Sequence, residues 1–204
     1  MRSILKVPIF IHIAGKNMQA ISKLKFVEDS VQIPSDVQVS LNSPNTVTVK
    51  GKLGELTKSF INAGVKMSIS ENTLKIRVYG RGRRAIAILN TVRSIIENMV
   101  TGVTKGFTYR MKIIQSHFPI SIKIKGNELL IENFIGEKVP RKVVLPDGVK
   151  ATVKGDEIIL TGLDKEKVGL AAGIIENTTK VKDKDPRKYL DGIYLYEKKV
   201  GIES

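Results

Sequence analysis

The chain has no cysteine and no tryptophan, and His12 and His117 are its only histidines. Without thiols there is no disulfide staple, no thiolate metal site and no cysteine nucleophile, a composition that fits a reducing compartment. Two histidines standing alone supply neither a His-rich metal site nor the parts of histidine-based acid–base catalysis. Long apolar runs are also missing: none approaches the roughly 20 residues of a membrane span. No helical pattern joins a basic face to the exposed Trp or Phe of an interfacial binder, so no membrane partner is expected. The first residues, MRSILKVPIFIHIA, begin basic and turn apolar like an export signal. Lys6, Pro8 and His12 interrupt that pattern, and no A-x-A cleavage site follows. Met18 is an alternative start, which would make residues 1–17 an extra segment.

Acidic residues are scarce in one long window. From Asn72 to Asn127 a single acid, Glu97, faces eleven bases: Lys75, Arg77, Arg81, Arg83, Arg84, Arg93, Lys105, Arg110, Lys112, Lys123 and Lys125. The whole chain of 204 residues carries a net charge of +14. An excess of that size exceeds what solubility needs and implies a polyanionic partner, with nucleic acid foremost once a membrane is set aside. Phosphate contacts by themselves give salt-sensitive, sequence-blind affinity. Tyr79, Phe107, Tyr109, His117 and Phe118 are candidates to stack on unpaired bases, although their alternating spacing suits a core or a sheet face better.

A chain of this length holds one large or two small domains. Internal similarity favours two. VQIPSDVQVS from Val31 matches VVLPDGVKAT from Val143, with Pro34 and Pro146 112 residues apart. TVTVKG ending at Gly51 matches EIILTG ending at Gly162, 111 apart, and IIEN recurs at Ile95 and Ile174, 79 apart. The difference places 32 additional residues in the first copy, between Gly51 and Ile95, where LTKSF, MSIS and LKIRVY read as added strands. Ala85, Leu89, Val92, Ile96, Met99 and Val103 form one apolar stripe on a helix from about Arg83 to Val103. A second helix opens after Asp164, a good N-cap, and turns Val168, Ala171, Ala172 and Ile175 inward. FTYRMKII, ISIKIK and ELLIENF are further strands, with Gly126-Asn127 as a hairpin turn. The expected fold is α+β: an internal duplication of two similar domains, each an antiparallel β-sheet with one main helix packed on it. The boundaries are an N-terminal extension over 1–25, a first repeat over 26–105 and a second over 106–204 with a basic C-terminal segment.

Catalytic motifs fare poorly. Gly80-Arg81-Gly82-Arg83-Arg84-Ala85 matches G-x-G-x-x-A between a strand and a helix, the setting of a dinucleotide site. No parallel strand ending in a ribose-binding acid follows, and hairpins rather than βαβ units surround it. A glycine-flexed basic turn opening a helix suits an RNA phosphate equally well. Lys50-Gly51-Lys52-Leu53-Gly54-Glu55 lacks P-loop spacing and reads as a hairpin. Glu128 and Glu132 share one face of a strand without a nucleophile nearby, the pattern of solvated surface carboxylates. No active site, cofactor site or metal site is expected.

The segment from Asn177 to Lys198, NTTKVKDKDPRKYLDGIYLYEK, packs Lys180, Lys182, Lys184, Arg187 and Lys188 around Pro186, with Asp183 and Asp185 between them. Asp191-Gly192 then leads into a short aromatic strand. It resembles the signature of the archaeal and eukaryotic branch of the large-subunit ribosomal protein L-six family. Val181, Lys184, Arg187, Asp191, Gly192, Ile193, Tyr194, Leu195 and Lys198 fall on its positions, while Asn177 stands where Gln is usual and Tyr189 where Phe is usual. VQIPSDVQV, VTVKGKLGEL, NMVTGVTKGFTYRMKII, SHFPISIKI and IENFIGEKVPR extend the resemblance over about Ser30 to Lys198. The resemblance implies a duplicated α+β fold, no enzymatic activity, and binding to large-subunit rRNA beside the sarcin-ricin loop and the base of the factor-binding stalk. It also implies neighbouring ribosomal proteins and passing elongation factors as partners, and a cytoplasmic ribosome as location. Carried to this chain, it favours Lys180, Lys182, Lys184, Arg187, Lys188 and Lys198 in the second repeat as rRNA contacts. The charge window adds Arg81, Arg83, Arg84, Lys105 and Arg110. A non-ribosomal RNA-binding module is the alternative reading of the same basic surface.

Overall fold

The computed structural model describes residues 26–42, 45–80, 82–182, 184–185 and 187–202. The N-terminal extension, Arg81, Asp183 and Pro186 therefore lie outside the described residues. The first half runs β1 (Phe26–Gln32), β2 (Gln38–Asn42), β3 (Thr46–Gly51), β4 (Gly54–Ser59), β5 (Val65–Ser70), β6 (Thr73–Tyr79) and helix α1 (Gly82–Thr104). The second runs β7 (Phe107–Ile114), β8 (Ser121–Lys125), β9 (Glu128–Glu132), β10 (Arg141–Val144), β11 (Val149–Lys154), β12 (Glu157–Gly162), α2 (Lys165–Thr178) and β13 (Gly192–Val200). All strand pairings among the described residues are antiparallel, giving the α+β class.

Each half divides its strands between two sheets. In the first these are β2-β3-β4 and β1-β6-β5; in the second, β8-β9-β10 and β7-β12-β11, the latter extended by β13 on the free edge of β7. Period-two burial marks the strands: β6 buries Leu74, Ile76 and Val78 and leaves Lys75 and Tyr79 in solvent. On α1 the whole expected stripe, Ala85, Leu89, Val92, Ile96, Met99 and Val103, is buried, each larger side chain contributing roughly 1.5–3 kcal/mol. The helix ends at Gly106, whose left-handed backbone (φ +74°) lets its N–H and that of Lys105 return to the Thr101 carbonyl. Helix α2 starts as expected: the Asp164 carboxylate accepts the N–H of Glu166 at 2.9 Å. Two separate cores result, one between Val31 and Val103 and one between Phe107 and Ile193.

The register of the duplication differs from the expected one. Equivalent strands, β1 with β7 through β6 with β12, begin between 81 and 87 residues apart and occur in the same order. The strands at LTKSF, MSIS and LKIRVY are present as β4, β5 and β6, but they are not additions: β10, β11 and β12 are their counterparts. The matched segments around Pro34 and Pro146 are non-equivalent corners, one from β1 to β2 and the other from β10 to β11. Each carries the chain from one sheet to the other, and each closes the same local hydrogen bond, Val37 N–H to Pro34 O at 3.1 Å and Val149 N–H to Pro146 O at 3.2 Å. Alike corners produced alike sequences at different places in the fold. IIEN was the truer marker, since Ile96 and Ile175 are both buried on the helices.

The halves meet at a seam where the end of α1 comes close to the connection from β12 to α2. On the first half's side, Leu53 N–H donates to the Val103 carbonyl at 3.0 Å and so ties the β3–β4 turn to the end of α1. Across the halves, a Cβ on Gly102 would lie 2.0 Å from the Leu163 carbonyl oxygen. Lys58 pairs with Glu166, and Lys165 Nζ donates to Asn98 Oδ1 at 3.2 Å.

Candidate nucleic-acid interface

The basic segment between α2 and β13 is tied down at both ends by buried polar side chains. At its start Thr179, buried, donates its hydroxyl to the Ile175 carbonyl (3.0 Å) and accepts the N–H of Ile193 (3.1 Å). At its end Asp191, only 1% exposed, accepts the backbone N–H groups of Ser116 (2.7 Å) and His117 (3.0 Å) and pairs with His117 Nδ1 (2.6 Å). Burial alone would raise the Asp191 carboxyl, but the His117 amide, its imidazole and the Ser116 amide more than offset it and hold the group below the usual carboxylate range. Between the anchors Asp185 folds the loop on itself: its side chain accepts Arg187 N–H (3.0 Å) and its carbonyl accepts Lys188 and Tyr189 N–H (3.1 and 3.0 Å). The Tyr189 ring stacks on His117 at 4.5 Å and 25°, and the Lys184 ammonium lies 4.7 Å from the Tyr189 ring centre. Asp185 and Asp191 are thus the frame of the loop rather than spacers between its charges.

This frame presents Lys180, Lys182, Lys184, Arg187 and Lys188 to solvent, none of them paired with a described carboxylate. Lys198, also exposed, sits apart: six residues along β13, roughly 20 Å from the end of the loop, it lies 5.7 Å from the Tyr109 ring centre. Arg83 and Arg84 occupy the first turn of α1 in the other half, and Lys105 the connection from α1 to β7, all three exposed. Arg110 is half-buried on β7 between Glu157 (3.9 Å) and Glu197 (3.5 Å), so its charge is already engaged.

The charge window also changes in three dimensions. Acids outside the window reach several of its bases: Glu28 meets Arg77 and Asp29 meets Arg93 across the fold, and Glu132 meets Lys123 across a hairpin. The cationic surface is therefore smaller than a linear count implies. His117 and Asp191 were not foreseen as partners, and the motif gave only the Asp-Gly turn as a clue. No serine or threonine hydroxyl among the described residues bonds the imidazole. Nor does any group of three His, Asp or Glu among the described residues fit a metal ion. The G-x-G-x-x-A segment lies outside a βαβ unit: β6, which leads into it, is antiparallel to both neighbours. No helix among the described residues is long and apolar enough to cross a membrane.

Fold and surface together define a duplicated α+β protein with a rigidly framed cationic loop at the end of its second unit. The model of the family described as ribosomal protein L6 matches residues 33–106 and 118–192, one segment in each half. Large ribosomal subunit protein uL6 of Aeropyrum pernix is 42% identical over 175 residues, spanning 85% of this chain and 96% of the relative. The protein of the same name from Methanobrevibacter smithii is 40% identical over 172 residues (84% and 96%), and that from Ignicoccus hospitalis 41% over 184 residues (88% and 98%). The chain belongs to the ribosomal protein L6 family.

Proposed function

We propose that the protein is a non-catalytic constituent of the large ribosomal subunit in the cytoplasm. In this reading it clamps large-subunit rRNA beside the sarcin-ricin loop and the base of the factor-binding stalk. Neighbouring ribosomal proteins would share that site, and elongation factors would pass close to it. Residues 26–105 and 106–204 act as two domains, the second providing the main RNA contact through Lys180, Lys182, Lys184, Arg187 and Lys188. Arg83, Arg84, Lys105 and Lys198 supply further phosphate contacts. The observation that carries the reading is the loop itself: five exposed cations, none paired with a described carboxylate, held on a frame locked by Thr179, Asp185 and Asp191. Such a frame positions charge against a phosphate backbone without reading bases, which is how shape-directed RNA binding works.

Two measurements test it. The protein should co-sediment with large subunits and stay bound through moderate salt, and a wholly free pool would overturn the proposal. Replacing Lys184 and Arg187 by Ala should weaken rRNA binding and reduce the slope of log K against log salt by about 0.7–0.9 per lost phosphate contact. An unchanged slope would mean that these two side chains face only solvent.

A further inference from the structure

In each half, the sheet that carries the helix has a second face turned away from it. On the second half part of this face is engaged internally, although Lys112, Lys150 and Lys154 stay exposed on it. Arg110 lies between Glu157 and Glu197, the Tyr196 hydroxyl donates to Glu157 at 2.9 Å, and β13 covers the edge of β7. On the first half the equivalent sheet is β1-β6-β5, and its central strand turns Lys75, Arg77 and Tyr79 outward. Register places Lys66, Arg77 and Glu28 side by side in one row and Ser68, Lys75 and Ser30 in the next. Between them is a shallow basin of about 240 Å³ lined by Glu28, Lys66, Ser68, Ser70, Lys75 and Arg77.

The charges in this basin do not cancel. Glu28 is its one acid, and it is occupied by Arg77, which donates from Nε (2.8 Å) and Nη2 (2.6 Å). Arg77 is further fixed over the Phe26 ring at 4.4 Å. Lys66 and Lys75 pair with no described carboxylate, and the hydroxyls of Ser68 and Ser70 are exposed beside them. The lining is rich in donors and without an apolar wall, so it suits an anion with several acceptor oxygens rather than an apolar ligand. Tyr79 at the end of β6 is 59% exposed, with the Phe26 ring set edge-on against it at 6.5 Å and 63°. An open tyrosine ring two positions along β6 from Arg77, on the same side of the sheet as the lysines and hydroxyls, matches a nucleotide chain, which offers a base beside each phosphate. An acidic protein surface would use the lysines but has no comparable use for the ring.

We propose that this basin on the first half seats the phosphodiester backbone of a second rRNA segment, distinct from the one held by the loop at 180–188. The proposal rests on the reading that the chain binds rRNA. Because the chain has no cysteine, Ser68→Cys provides a single attachment point for an iron–EDTA probe in the full-length protein within assembled large subunits. Glu176→Cys, at the end of α2 beside the loop, gives a parallel probe. Cleavage of rRNA from both positions, in different segments, is the expected result. Cleavage from Glu176→Cys alone, or cleavage of a neighbouring protein in place of rRNA from Ser68→Cys, overturns the basin and leaves the rRNA reading standing. Cleavage from neither position overturns the rRNA reading itself. In parallel, the double substitution Lys66→Ala with Lys75→Ala should flatten the salt slope of rRNA binding by about 1.4–1.8 with an unchanged thermal midpoint. An unaltered slope overturns the proposal.

Discussion

Asp191 illustrates what a single buried carboxylate does for a surface loop. Replacing it by Ala leaves two inward-facing N–H groups, of Ser116 and His117, without their acceptor. We expect a loss of roughly 2–4 kcal/mol, measurable by urea unfolding, and weaker rRNA binding because the frame for Lys184 and Arg187 loosens. The pH dependence has a definite sign. Since the native carboxyl is held below its usual range, the folded state binds fewer protons than the unfolded one. Its stabilisation is complete above the unfolded value of about 3.9 and is lost as pH falls through the native value. In Asp191→Asn the decline in stability below about pH 4 should be shallower than in the parent; an identical acid limb would refute this role. At this scale the sequence was partly legible. The Asp-Gly pair marks a turn by local chemistry alone, but the partners of Asp191 lie 74 and 75 residues earlier. His117 looked isolated for the same reason, because only the fold brings it under Tyr189.

Among the elements, the helices were the most legible because their signals are local and repeated. The stripe from Ala85 to Val103 needs only a 3.6-residue period, and the Asp164 cap only its two neighbours. Strands were recognisable, but the assignment of one to another was not. The Pro34 and Pro146 corners repeat the same turn at non-equivalent places, and no pairwise match can tell a corner between sheets from a repeat between domains. The division of each half into two sheets was equally hidden, since alternation reveals a face and not a pairing partner. Helix α1 also carries an exception to ordinary propensity. Ala at position 102 should favour the helix by about 1 kcal/mol on intrinsic grounds. Here its Cβ would stand 2.0 Å from the Leu163 carbonyl oxygen, so Gly102→Ala should destabilise the protein by roughly 1–3 kcal/mol. Thermal unfolding provides the check, and an unchanged or raised midpoint would show that the seam yields.

For the whole molecule, two cores separated at the α1 to β7 connection imply two units that each close their own apolar interior. A fragment covering 106–204 should fold by itself, with protected amides in β7 and β12 by hydrogen exchange; rapid exchange throughout would show that the second core depends on the first. Net charge points to a polyanion, but a linear count overstates the free cationic surface, because Glu28, Asp29 and Glu132 come from strands outside the acid-poor stretch or across a hairpin within reach of it. Such pairings are tertiary facts that linear counting misses. The seam at Gly102 and Leu163 has a consequence for affinity. Two weak attachment points joined by a floppy tether lose much of their combined strength to the search for the second point, whereas backbone-to-backbone contact leaves almost nothing to search. Once one half is docked, the other is held at a high effective concentration over a fixed place on the partner, so modest individual contacts can combine into lasting avidity, but only toward a surface whose own spacing matches.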